Sequence, residues 1–222
     1  MMEEKVVKKT LWLCLLLFGT LTLFAQNGSL AGNPRSTETA LNPSQPNEAQ
    51  AALIIIIYNN LGAKSDAYST INGWGVRGPN GGGPHFFAMA FTPKANSHVS
   101  QVQAAVQYGG KGANQVNLSI YGDSGGSPGT LLAGPVTVTN LSKVGTCCSL
   151  AVANFTPLAI TGGSRYWIVA DTFLTGTGSD FVGLWEWVPK PVYPQAANNG
   201  AGWMGYNSTN GEAAVKVLGT SP

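Results

Sequence analysis

The chain has 222 residues, a formal net charge of +2, only 10% charged side chains, and 29 glycines against 3 cysteines and 2 histidines. Charge this sparse and balanced offers no field to draw the protein to nucleic acid or an anionic membrane. The few thiols and imidazoles have no zinc-finger spacing.

In chain order, Lys5, Lys8 and Lys9 precede an apolar run over residues 11–24. The run is shorter than the about 20 residues a spanning helix needs, and small residues follow it, so it reads as a secretory signal. Cleavage is expected after Ala25 or Ala31. Ser29 at the minus-three position favours Ala31. The signal thus occupies residues 1–31, and no membrane span remains once it is removed. Residues 32–51 hold almost no large apolar side chains and are expected to form a flexible leader. Residues 52–220 are long enough for one domain with its own core.

Within that domain, β-branched and aromatic clusters alternate between Gly, Pro and Asn breaks. They predict nine strands, at 53–58, 86–92, 99–108, 115–121, 134–140, 149–155, 165–171, 181–188 and 213–218. No segment combines a helical period with caps. The expected fold class is all-β, an antiparallel β-sandwich of jelly-roll type. Alternation puts Tyr166, Ile168 and Ala170 on one face of their strand and Trp167 and Val169 on the other. Both faces are apolar, so this strand is expected to be central and covered on both sides.

Between two of these strands, Gly122-Asp123-Ser124-Gly125-Gly126 resembles the nucleophile segment of chymotrypsin-type serine proteases. Such a serine needs a histidine to take its proton. His85 and His98 are the only histidines; they stand much closer before Ser124 than in that family and in different surroundings. The stretch is therefore expected to be a turn, with Asp123 capping it.

Taken together, IYNNLG (57–62), GWGVRG (73–78), AFTP (90–93), LSIYGDSGGSPGTLLA (118–133) and PLAITGGSRYWIVA (157–170) resemble the bacterial choice-of-anchor domains, closest to the R type. The resemblance spans most of residues 57–203. It implies a secreted, β-rich domain of the bacterial cell surface with an export signal and a C-terminal sorting tail, and it carries no assigned activity. Residues 215–222 hold neither an apolar tail nor a basic cluster, so release into the periplasm or medium is expected.

Once Cys14 leaves with the signal, Cys147 and Cys148 are the remaining thiols. Adjacent residues lie about 3.8 Å apart across a trans peptide, closer than most disulfides, so a mutual bridge would be a tight ring. A mutual disulfide, free buried thiols and an intermolecular bond all stay open. Trp185 and Trp187 share one face of a predicted strand, and Trp74 and Trp203 each follow a glycine. Exposed, these four indoles would make a platform for sugar rings; large aromatics are more often buried. Asp171, Asp180 and Glu186 are candidates for a structural calcium ion, yet no dense acidic pattern surrounds them, so no metal or cofactor is expected. Asp171 with Glu186 could serve a glycoside hydrolase only by facing across a cleft. Asn117, Asn140, Asn154 and Asn207 begin glycosylation sequons.

These observations favour a secreted, non-enzymatic surface domain that adheres to a polysaccharide or cell-surface glycan. The alternatives are a purely structural envelope or matrix protein and, behind it, a hydrolase.

Overall fold

The computed structural model describes residues 53–62, 68–189 and 193–222. The expected signal, leader and Ala52 lie outside the described residues. Fourteen strands and one short 3-10 turn, Pro79–Gly81, make up the regular structure of this part. In chain order the first seven strands are β1 (Ile55–Asn59), β2 (Gly73–Arg77), β3 (Phe86–Phe91), β4 (Ser97–Ala104), β5 (Val106–Lys111), β6 (Gln115–Ser124) and β7 (Ser127–Thr139). The rest are β8 (Ala151–Ile160), β9 (Tyr166–Asp171), β10 (Val182–Val188), β11 (Tyr193–Asn198), β12 (Trp203–Ser208), β13 (Glu212–Ala213) and β14 (Val215–Thr220).

All pairings between these strands are antiparallel, and they form an all-β sandwich. One layer is a six-stranded sheet in the order β12-β11-β3-β9-β6-β7. As alternation required, β9 is interior and apolar on both sides: Ile168 and Ala170 enter the inter-layer core, while Trp167 and Val169 belong to a second cluster on the outward face.

The other layer forks. Its four-stranded part runs β1-β14-β4-β8, and β10 pairs with β2, β5 and β13. The fork sits where Ala105 separates β4 from β5 and Ala214 separates β13 from β14. Three backbone bonds close a ring there: Ala105 N to Ala214 O at 3.0 Å, Ala214 N to Glu186 O at 2.8 Å, and Glu186 N to Ala105 O at 3.0 Å. The β4–β14 pair thus divides, and its two arms follow β10 in opposite directions. Methyl side chains let three strands meet this closely, and both alanines are fully buried.

The core packs Val99, Val102, Val106, Trp185, Val215 and Val217 of the forked layer against Phe87, Met89, Leu118, Ile120 and Ile168 of the six-stranded sheet. Trp74 stacks on Phe87 with centroids 4.9 Å apart, and Trp185 meets the same ring edge-on at 6.1 Å. Such pairs add to the area they remove from water.

The strand count exceeds the expected nine for physical reasons. The segments at 99–108 and 213–218 each break at the fork. β2, β11 and β12 are absent from the sequence reading because Gly73, Gly75, Pro194 and Gly205 interrupt the apolar alternation that marks a strand. At Gly73 the glycine is needed: a Cβ there would lie 2.5 Å from the Trp185 carbonyl oxygen across the β2–β10 pair.

Candidate binding surface

The stretch Gly122–Ser127 turns the β6–β7 hairpin. Ser124 pairs with Ser127 around a two-residue loop, Gly125-Gly126. Both glycines have positive φ, 62° and 89°, as a type I′ turn demands. Asp123 Oδ2 accepts from Gly126 N at 3.3 Å and Ser127 Oγ donates to Ser124 O at 3.0 Å, so the cap expected of Asp123 is present. His85 instead bonds Gly75 O through Nδ1 at 2.6 Å, and His98 lies on β4 in the opposite layer. Ser124 is an exposed hairpin residue.

Register shifts at three points along β6–β7 curl this hairpin over the outward face of its sheet. Trp167 Nε1 donates to Asp123 Oδ1 at 2.8 Å, and the tip reaches β12, where a Cβ on Gly205 would meet Gly126 O at 2.2 Å. Strand registers line up Gly205, Ala196, Ala88, Val169 and Ser119 in one row across five strands. This trough of small side chains runs between two aromatic rows. Trp203, Asn198 and Phe86 form one, and Ala90, Trp167 and Tyr121 the other.

Beside the hairpin tip opens a cleft of about 310 Å³ lined by Gly126, Arg165, Pro194, Gly205, Tyr206 and Asn207. Arg165 Nη1 stands 3.9 Å from Asp123 Oδ1, with 42% of its side chain in solvent, so the guanidinium remains available to a ligand. Tyr206 is 39% exposed, and its ring leans edge-on against Trp74 at 6.2 Å, which fixes its plane. Its phenol pKa is raised by partial burial, leaving it a neutral donor. Alternation along β12 turns the Tyr206 ring to the face opposite Gly205 and Asn207, so the lining offers one planar cation and one amide. It contains no carboxylate. A larger cleft, about 520 Å³, separates the edges of β7 and β8, but its walls hold Asn154 and no charged group.

The four tryptophans singled out in the sequence do not converge. Trp185 is fully buried, its Nε1 donating to Ala214 O at 3.0 Å. Trp187, on the same side of β10, meets Trp74 edge-on at 5.3 Å, and Trp74 Nε1 donates to Gly211 O at 3.3 Å. These three pack between the layers. They cannot form a solvent-facing platform with Trp203, because β10 turns its odd-numbered residues inward. Trp203 alone lies on the outward face of the six-stranded sheet, half-buried against the trough.

The acidic residues are likewise dispersed, and no three metal-ligating side chains cluster among the described residues. Asp171 lies on the trough side of β9, opposite Asn117; burial pushes its pKa up to about 6, a rise partly offset by a hydrogen bond from Asn117. Asp180 accepts from Ala113 N at 3.0 Å. Glu186 leaves β10 on the outward side of the other layer, so Asp171 and Glu186 face away from each other across the sandwich. A glycosidase pair of these two is ruled out by that placement. Cys147 and Cys148 are joined to each other as a disulfide between neighbouring residues. Of the sequons, Asn117 is buried and accepts from Thr137 Oγ1 at 2.8 Å, while Asn140, Asn154 and Asn207 are exposed.

Arg165, Tyr206 and the hairpin roof were not singled out from the sequence, and Asn207 was noted only as the start of a sequon. The nearest signal was Tyr206 and Asn207 following a glycine in a short polar run, which by itself reads as a loop. The fold defines the class, an antiparallel all-β sandwich. No family model matches the chain, and no curated protein matches it.

Proposed function

We propose that the chain is a secreted, non-enzymatic surface or extracellular domain that binds a polysaccharide or cell-surface glycan in the cleft under the β6–β7 hairpin. The observation that carries this reading is the lining: the partly exposed Arg165 guanidinium beside the Asn207 amide at the hairpin tip. A pyranose has an apolar C–H face that stacks on an aromatic ring and equatorial hydroxyls that bond planar donors and acceptors. Trp203, on the same face of β12 as Asn207, supplies an aromatic surface along the trough. The export signal read at residues 1–31 and the resemblance to choice-of-anchor domains support a place outside the cytoplasm.

A purely structural envelope or matrix role is the second reading. It is favoured by one observation, that Trp74, Trp185 and Trp187 are spent on internal packing. A glycan array with the full chain separates the two. Retention of at least one polysaccharide, lost in Arg165→Ala and Asn207→Ala without a change in Tm, is the expected result. Binding nowhere on plant, bacterial and algal polysaccharides would leave the structural role standing.

A further inference from the structure

The open edges of this sandwich are treated unequally. A sheet edge presents backbone N–H and C=O groups with no strand beside them, and proteins blunt such edges with prolines, bulges, charges or a cover. β7 carries Pro128, Pro135 and three register shifts, and β8 carries Pro157 where its register with β4 slips. β12 lies under the hairpin tip, with Gly205 against Gly126. β2 is five residues long, holds two glycines and ends on Arg77. β1 has no proline, no charge and no cover. It is the end strand of the β1-β14-β4-β8 sheet and, among the described residues, pairs with β14 alone. Its one register shift, between Ile56 and Tyr58, falls near the end of its apolar run.

That run reads Leu-Ile-Ile-Ile-Ile-Tyr from Leu53 to Tyr58, and no charged residue stands between Glu48 and Lys64. Leu53 is 83% exposed, Ile54 65% and Ile56 60%. Among the described residues five large aliphatic side chains are exposed by 60% or more, and three of them lie on this one short segment. Ile56 stands opposite Leu218, and Ile54 joins Leu218, Gln101 and Asn154 around an uncharged groove of about 390 Å³ on the outward face of the sheet. Ile57 turns the other way and packs on the core, and alternation puts Leu53 and Ile55 on its side. The strand is held firmly at its far end. Leu61 N donates to Asn59 Oδ1 at 3.0 Å, and Asn60 Nδ2 donates to Ala213 O at 2.9 Å.

We propose that this edge joins two copies of the chain, β1 pairing antiparallel with β1 about a two-fold axis at Ile55. The unpaired backbone groups of an edge are satisfied in series only by another extended backbone. A two-fold contact brings each patch against its own counterpart, which like charges would oppose and this neutral edge permits. Pairing centred on Ile55 sets Ile54 against the partner's Ile56 and Leu53 against the partner's Ile57. Every exposed aliphatic of the run then meets an aliphatic on the same face. Centring on Ile56 instead would set Leu53 against the partner's Asn59. The chain's own preceding segment is a poorer occupant: residues 32–51 hold Leu41 as their one large aliphatic, and Pro34, Pro43 and Pro46 would interrupt a ladder. The product is a single eight-stranded sheet running through two sandwiches. One strand edge stands at the small end of interface sizes, so the dimer forms in the micromolar range. The cleft belongs to the other layer, and this inference stands or falls without it.

The test is sedimentation velocity on the full chain from micromolar to millimolar concentration, where a monomer–dimer equilibrium is expected. Ile56→Lys should raise the dimer Kd by about 100-fold, roughly a factor of ten for each lysine brought into the pair, and Ile54→Lys should do the same. Ile71→Lys changes an equally exposed isoleucine away from β1 and should leave the Kd as it is. In dilute solution all three variants should melt within about 2 °C of the wild type, which separates lost pairing from misfolding. In the unsubstituted chain, amide exchange over residues 54–57 should slow as concentration rises. A chain that stays monomeric overturns the proposal, as does exchange at 54–57 that ignores concentration. An association that survives both β1 lysines, as one seated in the apolar run at 11–24 would, also overturns it. So does growth into open-ended fibres, because a two-fold pair closes on itself.

Discussion

The outward faces of the two layers both bury polar groups, and they treat them in opposite ways. On the six-stranded sheet, the indole N–H of Trp167 finds Asp123, Asn117 finds Thr137, and Asp171 takes a bond from Asn117. At the fork, Glu186 and the Gln107 oxygen find nothing among the described residues. The first face is satisfied within itself and opens beside a cleft with spare donors, as a surface that meets an external ligand does. The second is closed, and burial there pushes the Glu186 carboxyl up to about 7, toward its neutral form. Polar groups at a protein boundary thus report different roles according to whether their partners are built in.

The sharpest way to break that contrast is to remove what the fork stands on. Trp185→Ala deletes a fully buried indole and its bond to Ala214, and should cost about 3–5 kcal/mol in denaturant unfolding. A loss below about 1 kcal/mol would mean that the fork is not part of the cooperative core.

Next in size is the effect of pH on two buried carboxyls, Glu212 on β13 beside the fork and Asp171 at the end of β9. Burial pushes Glu212, which accepts a hydrogen bond from the Tyr58 hydroxyl, up to about 8, and Asp171 up to about 6. Free carboxyls titrate near about 4. Between those limits the folded chain holds more protons than the unfolded one, so stability is highest at the acid end and falls as pH rises through 6 and then 8. The Tm should therefore drop by several degrees from pH 4.5 to 8, less steeply in Glu212→Gln. A Tm that climbs across this range contradicts it.

The smallest effect concerns the hairpin roof. Trp167→Phe keeps most of the apolar contact but removes the indole donor from Asp123, an exposed carboxylate that water can serve, at about 0.5–1.5 kcal/mol. Amide exchange should quicken at Gly125 and Gly126 and remain unchanged at Ala105 and Ala214. Arg165→Ala, by contrast, removes an exposed pair at 3.9 Å and should alter stability by less than about 0.5 kcal/mol. Its consequence is confined to ligand binding.

Much of the fold was legible from residue order. Alternation along 115–121 and 165–171 identified β6 and β9 and the two-sided burial of β9, and Gly125-Gly126 marked a turn. β2 and β12 were not legible, because their glycines serve close approach to another strand or to the hairpin tip and carry no side chain to show the period. The site was less legible still. Trp185 and Trp187 were correctly put on one side of a strand, but alternation leaves open whether that side faces water or another sheet.

By itself the sequence determined that the domain would be built of β-strands with an apolar interior, that Ser124 would sit in a turn, and that Trp185 and Glu186 would point in opposite directions. These are consequences of local chemistry: backbone sterics, side-chain period and turn preference act between near neighbours. Only the tertiary structure decided which side was the inside, that Gly126 would lie on Gly205, and that Glu186 would be enclosed beside Gln107 where β4 and β14 divide. Those outcomes depend on contacts between residues some 80 positions apart, and a local pattern holds no record of what a distant strand brings against it.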